Sequence, residues 1–217
     1  MKVGRRAFIK FLGSAVAGTT LESLDKLIQT DEYYIDLRLG FGFRIPRKWH
    51  LKAFVSFDHI RDKQILAKPF QKEQELLAEL SEGLVAILSK YPIDEPVQDL
   101  FSPSVTFFMA EASEELRKIG SLVDISRESI KGFSTVLTDY ECYLEPEFIQ
   151  RKGYTMVRSK SKFLFEYEGM TPTMIDNETL YIDYNDIFYT IHLYDSPYNG
   201  DVTQYEFDVF KESLHLL

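Results

Sequence analysis

The chain has 217 residues, 45% hydrophobic and 14% aromatic, with 34 acidic against 25 Lys and Arg side chains and a formal charge of −9. That length holds one domain plus a targeting segment, and the composition supports a packed core. Its acidity opposes phosphate backbones and anionic lipid. The lone cysteine, Cys142, excludes an intramolecular disulfide, a cysteine-ligated iron–sulfur cluster and a cysteine-ligated structural zinc site.

The first residues read Gly4-Arg5-Arg6-Ala7-Phe8-Ile9-Lys10, followed by a mildly apolar stretch from Phe11. Arg5, Arg6, Phe8, Ile9 and Lys10 match position by position the pattern of a twin-arginine export signal, which this segment resembles. As a helix the apolar run over residues 11–21 would extend about 16 Å, well short of the ~30 Å hydrocarbon core, so it is expected not to span stably. Ala15-Val16-Ala17 has the small-x-small form of a cleavage site. Cutting there leaves a very short apolar region, so later cleavage and retention both stay open. Loss of Lys2, Arg5, Arg6 and Lys10 would leave a remainder near about −13. The resemblance implies passage of a folded chain through the twin-arginine translocase to a periplasmic or other extracytoplasmic address. Residues 1–30 are read as signal and linker, and 31–217 as one globular domain.

Along that domain, residues 34–39 and 41–45 read as extended segments, broken by Gly40 and closed by Pro46. Leu77, Leu80, Leu84, Leu88 and Tyr91 recur at helical spacing and predict a helix over 71–91, ended by Pro92 and Pro96. A β-rich run follows over 104–110. Ile130, Phe133 and Leu137 mark a second helix, with Asp124 or Ser126 as its expected cap. Residues 140–144, around Cys142, read as a strand in which the thiol is a buried filler rather than a reactive group.

Residues 179–184 and 187–194 form two alternating runs around Asn185-Asp186, a pair suited to a tight hairpin. Ile187, Tyr189, Ile191 and Leu193 then share one face. Thr203 and Glu206 predict a capping box, Val202 and Phe207 a hydrophobic staple, and Phe207, Phe210, Leu214 and Leu217 a core-facing stripe.

The chemistry-bearing residues form no recognised pattern. His50, His59, His192 and His215 lie too far apart for a helical metal pair, and no H-E-x-x-H, nucleophile elbow or phosphate loop occurs. Gly40-Phe41-Gly42 is a fragment of a dinucleotide fingerprint with no helix pattern after it. His192 is expected on the side of Thr190 and Tyr194, either facing solvent or hydrogen-bonded. Asp183, Asp186 and Asp195 could converge into a weak calcium site, although turn roles account for the first two. A carboxylate pair for hydrolysis is not identifiable. The aromatics are expected mainly in the core, with Tyr194 and Tyr198, near Pro197, as a candidate partner surface. No catalytic, cofactor-binding or metal residues are assigned.

Three stretches carry a resemblance: Gly42-Phe43-Arg44-Ile45-Pro46-Arg47-Lys48-Trp49, then Pro103-Ser104-Val105-Thr106-Phe107-Phe108-Met109, then Glu178 through the hairpin to Phe207, Phe210 and Ser213-Leu214. Together they are similar to the PsbP-like superfamily, which includes the extrinsic PsbP subunit of photosystem II, the envelope protein DcrB and a Ran-binding import factor. The resemblance covers about two-thirds of the chain in order. The stretch over 49–104 departs from it by its length and its extra helix. The resemblance implies an α/β fold of the α+β type, a twisted antiparallel sheet flanked by helices in an α/β/α sandwich. It also implies a non-enzymatic binding or assembly protein, whose partner would be another envelope protein. The alternatives are an exported hydrolase with an unseen carboxylate pair and an extrinsic photosystem protein.

Overall fold

The computed structural model describes residues 27–37, 39–53, 84–92, 101–151, 153–166, 171–199 and 201–217. Strands β1 (Leu27–Gln29), β2 (Tyr33–Asp36) and β3 (Phe41–Arg44) form a small antiparallel sheet with the terminal β11 (His215–Leu216), in the order β1-β2-β3-β11. A seven-stranded antiparallel sheet contains β4 (His50–Ala53), β5 (Leu84–Ser89), β6 (Ser104–Glu111), β7 (Thr138–Arg151), β8 (Tyr154–Phe165), β9 (Thr173–Tyr184) and β10 (Ile187–Asp195). Its order is β4-β5-β6-β10-β9-β8-β7. Helices α1 (Glu114–Arg117) and α2 (Leu122–Val136) precede β7, and α3 (Asp201–Ser213) follows β10.

The two faces of the large sheet differ in kind. One carries Phe107, Ile191 and Leu180 in one cross-strand row and Met109, Tyr189, Ile182 and Met156 in the next. Against it pack the small sheet and α3, closing the main core. Phe43 stacks on Phe107 at 4.7 Å and meets Phe210 of α3 edge-on at 5.3 Å. Gly40 turns the chain into β3 with φ +70°, and a Cβ there would lie 3.1 Å from the Tyr189 hydroxyl, which donates to Leu39 O at 2.7 Å. The opposite face lies under α2.

The hairpin is as expected: Asn185 and Asp186 both take positive φ, 52° and 61°, the geometry of a type I′ turn. Tyr189, Ile191 and Leu193 lie in the main core, with Ile187 packed against it.

Several expectations are corrected. Leu84 and Leu88 belong to strand β5, not to a helix over 71–91; residues 71–83 lie outside the described residues. Residues 84–89 are apolar almost throughout, and a short doubly buried strand and a helix segment share that pattern. Helix α2 is capped by Ser121, earlier than expected, with Asp124 as the returning side chain of its capping box.

Helix α3 begins at Asp201, so Thr203 sits inside its first turn. Thr203 is buried and receives the Lys90 ammonium at 3.2 Å, while Glu206 pairs with the same ammonium at 2.9 Å. A long-range cation takes the two groups that local capping would have used. Val202 is 63% exposed and staples nothing. Leu217 leaves the stripe as well: it is 44% exposed, with its N–H on Gly40 O beyond β11.

Candidate functional site

Cross-strand register brings polar side chains together on the α2 face. Thr106, His192, Thr179 and Ser159 stand directly opposite one another across β6, β10, β9 and β8. The adjacent row runs Ser104, Tyr194, Asn177, Ser161 and Cys142, reaching β7. Thr106, Ser159, Ser161, Asn177, Thr179 and His192 are all buried. From above, α2 contributes Ser126 and Ser129, also buried. Alternation alone would make these outward positions solvent-facing. The helix laid over them turns them into an interior layer.

His192 is the centre of this layer. Its Nδ1 lies 3.0 Å from Thr179 Oγ1, which in turn accepts from Asn177 Nδ2 at 3.0 Å. Taking the Thr179 hydroxyl hydrogen as donor leaves the imidazole proton on Nε2. Phe108 and Phe133 meet the ring edge-on at 5.7 and 5.6 Å, and Tyr194 stacks on it at 5.5 Å. Burial in this aromatic surround pushes the His192 pKa down to about 3. Burial also raises Tyr181, Tyr194 and, to about 12, Tyr140, so the layer is uncharged at neutral pH. Thr106 Oγ1, Ser126 Oγ, Ser129 Oγ and Asn177 Oδ1 make no hydrogen bond. Tyr194 faces Thr106, and Tyr181 faces Ser129, outside hydrogen-bonding geometry.

This arrangement is poorly suited to proton transfer. A general base works best with a pKa near the operating pH, and His192 is far below it and sealed from solvent. It is the hydrogen-bonded histidine of the two expected alternatives.

The other face carries its charges near α3. Glu178, 8% exposed, accepts from Lys211 of α3 at 3.0 Å, with Lys160 at 3.7 Å and Arg158 at 3.9 Å. Arg158 also pairs with Glu147, and Lys211 with Asp208 at 2.9 Å. Of these ion pairs, Lys211–Glu178 joins the helix to the sheet.

The other candidates separate. Asp186 lies in the turn before β10 and Asp183 near the end of β9, whereas Asp195 closes β10, so the three aspartates do not converge. Asp186 pairs with Arg117 instead. Among the described residues no group of three or more His, Cys, Asp or Glu side chains is placed to hold a metal ion. Tyr194 lies in the α2 layer while Tyr198 is 81% exposed, so they do not share a surface. Tyr198, Val202 and Tyr205 do share an exposed stretch entering α3. Cys142 is only partly buried on β7, and burial raises its thiol pKa. Arg5, Arg6, Phe8, Ile9, Lys10 and His59 lie outside the described residues.

The solution structure of a cyanobacterial PsbP from Synechocystis superimposes with a TM-score of 0.54 over 93% of this chain and 99% of that one, at 14% identity. The fold is PsbP-like. LpqN of Mycobacterium tuberculosis, involved in cell envelope biogenesis, gives a TM-score of 0.48 at 8% identity, covering 81% of this chain and 82% of its own. The Ran-binding protein Mog1p of Saccharomyces cerevisiae gives 0.40 at 10% identity, covering 82% and 90%. No family model matches the sequence, and no curated protein matches it. At these identities the PsbP-like likeness is one of fold. Among the described residues no helix is long and apolar enough to cross a membrane.

The sequence reading missed the polar layer. Its signal was present in part: Thr106 lies between the inward apolar residues Val105 and Phe107, and His192 between Ile191 and Leu193. What was missing was the knowledge that α2 covers them.

Proposed function

We propose that the protein is exported folded by the twin-arginine route and acts in the cell envelope as a non-enzymatic binding or assembly protein. The observation that carries the binding role is the exposed stretch of Tyr198, Val202 and Tyr205, 81%, 63% and 70% exposed. Exposed tyrosines are frequent at interfaces. Support for export comes from the Arg5-Arg6 motif, and the closed, uncharged His192 layer argues against acid–base catalysis. Residues 1–30 serve as signal and linker in this reading and 31–217 as the working domain, with Leu27–Gln29 of the linker paired to β2. A photosystem role rests on fold alone and carries no separate weight.

Fractionation tests the address. Native protein is expected in the periplasm and the Arg5→Lys/Arg6→Lys variant inside the cell; equal cytoplasmic retention of both overturns the export reading. A photo-crosslinking residue at Tyr205 is expected to give a discrete envelope adduct that the same residue at Glu128 does not. Absence of any adduct specific to position 205 overturns the binding role for this patch.

The hydrolase reading has one observation in its favour. Asp195 and Asp176 stand opposite each other on β10 and β9, and the Asp195 pKa is raised by burial, with Asp176 adding to it. However, Asp195 Oδ1 already accepts from Ser196 N at 2.7 Å and Asn199 Nδ2 at 2.9 Å, the bonding of a turn residue. Nitrophenyl glycosides and esters are expected not to turn over. Hydrolysis abolished by Asp195→Asn would favour the enzyme.

A further inference from the structure

Helix α2 meets the sheet through a small apolar cluster, Ile125 with Leu116 and Phe188, and through the polar layer beside it. Its buried residues are Ile125, Ser126, Ser129 and Val136, so two serines occupy positions where a docked helix normally places large apolar side chains. The hydroxyls of both serines make no hydrogen bond. Its half-buried Phe133 rests edge-on against His192 at 5.6 Å. Both flanks sit in the left-handed region, Gly120 before the helix at φ +131° and Asp139 after it at φ 51°. A Cβ at Gly120 would lie 2.7 Å from Asp124 Oδ2, so that flank requires glycine. By contrast, α3 buries Thr203, Phe207 and Phe210 and is tied down by Lys90 and Lys211.

We propose that α2 is an acid-released cover: protonation of His192, which the closed layer cannot accommodate, drives α2 to swing away while the rest of the fold stays intact. The geometry supplies the coupling. In the closed state the imidazole meets Phe108, Phe133, Tyr194 and Thr179, none of which carries a negative charge to pair with an imidazolium cut off from water. The titratable groups facing it are Tyr181 on β9, Tyr194 on β10 and Tyr140 on β7, all held neutral by burial. Cys142 on β7 is likewise held in its thiol form. The charges of α2 pair with one another, Asp124 with Arg127 and Glu128 with Lys131. On β8, Arg158, Lys160 and Lys162 belong to the opposite face, and on β9 Asp183 is exposed. On β6, Thr106 and Phe108 carry no titratable group.

The sign follows from linkage. With the closed pKa at about 3 and the open imidazole near its ordinary value of about 6.5, the open state binds the extra proton across that window. Opening therefore becomes about tenfold more favourable for each unit the pH falls below about 6.5, reaching about a hundredfold by pH ~4.5. Asp124, the capping carboxylate, has its pKa lowered by hydrogen bonds from Ser121, so it stays ionised through that range.

The test is hydrogen exchange on the purified full-length protein from pH 7.5 to 4.5, corrected for intrinsic exchange. Protection across α2 is expected to fall about tenfold per unit below about 6.5, while protection in α3 and β10 holds. In parallel, the His192 ring resonances should show no ordinary titration of the closed state, and His192→Asn should flatten the α2 profile. Flat α2 protection overturns the proposal. So does an equal loss in α3, which would be global unfolding, or a His192 that titrates near 6.5 with α2 still protected. Should the variant fail to fold, the contrast between α2 and α3 in the native protein decides alone. None of these readouts depends on export or on a partner.

Discussion

The two faces of the large sheet are built from the same strands and differ in packing, although the α2 face also has a small apolar cluster of Ile125, Leu116 and Phe188. On the α3 face, Phe107, Ile191 and Leu180 meet Phe43 and Phe210, and the peripheral charges are paired around Glu178. On the α2 face, the matching rows are Thr106, His192, Thr179 and Ser159, closed by a helix that buries serines. Burying a large apolar side chain contributes about 1.5–3 kcal/mol, whereas a typical net hydrogen bond contributes about 0.5–1.5 kcal/mol, and less where partners are missing. One face therefore holds the fold together, and the other can open without undoing it. An apolar face stakes several kcal/mol on each large side chain it buries. The polar face stakes less on each group, and several of its buried hydroxyls are unbonded.

Substitutions can break or sharpen this contrast. The largest effect is expected at Phe210→Ala, which removes a fully buried ring packed edge-on against Phe43 and Phe107, with a loss of about 3–5 kcal/mol in urea unfolding. Glu178→Gln comes next, at about 2 kcal/mol, because Lys211 stays largely buried and keeps only Asp208 as a charged partner. Thr179→Val should lose about 1 kcal/mol and move the His192 ring resonances, since Nδ1 loses its partner. The smallest effect is expected at Ser126→Ala: within about 0.5 kcal/mol of native, because the lost hydroxyl makes no hydrogen bond. A loss well above 1 kcal/mol there would mean that the polar layer is more tightly bonded than its geometry shows.

Much of the apolar face was legible in the sequence, and little of the polar one. Tyr189, Ile191 and Leu193, with Phe207 and Phe210, advertise themselves by period and hydrophobicity, and Asn185-Asp186 fixes the hairpin between β9 and β10. Where two structures share one pattern, the reading failed. Residues 84–89 fit strand and helix alike, and tertiary pairing across β5, β6 and β4 settled them. Thr203 and Glu206 had the spacing of a local cap, but Lys90, remote in sequence, took both. The His192 layer was invisible for a related reason: outward polar residues signal solvent until a second element is known to cover them.

Native-state hydrogen exchange at neutral pH with low, stepped urea tests the central claim most directly. The α2 amides are expected to exchange through a local opening at well below the global unfolding free energy and nearly independent of urea. Those of Phe207 to Phe210 in α3 should follow global unfolding with its full urea dependence. Matching free energies and urea slopes for the two helices would contradict it, showing that the polar face binds its helix as firmly as the apolar one.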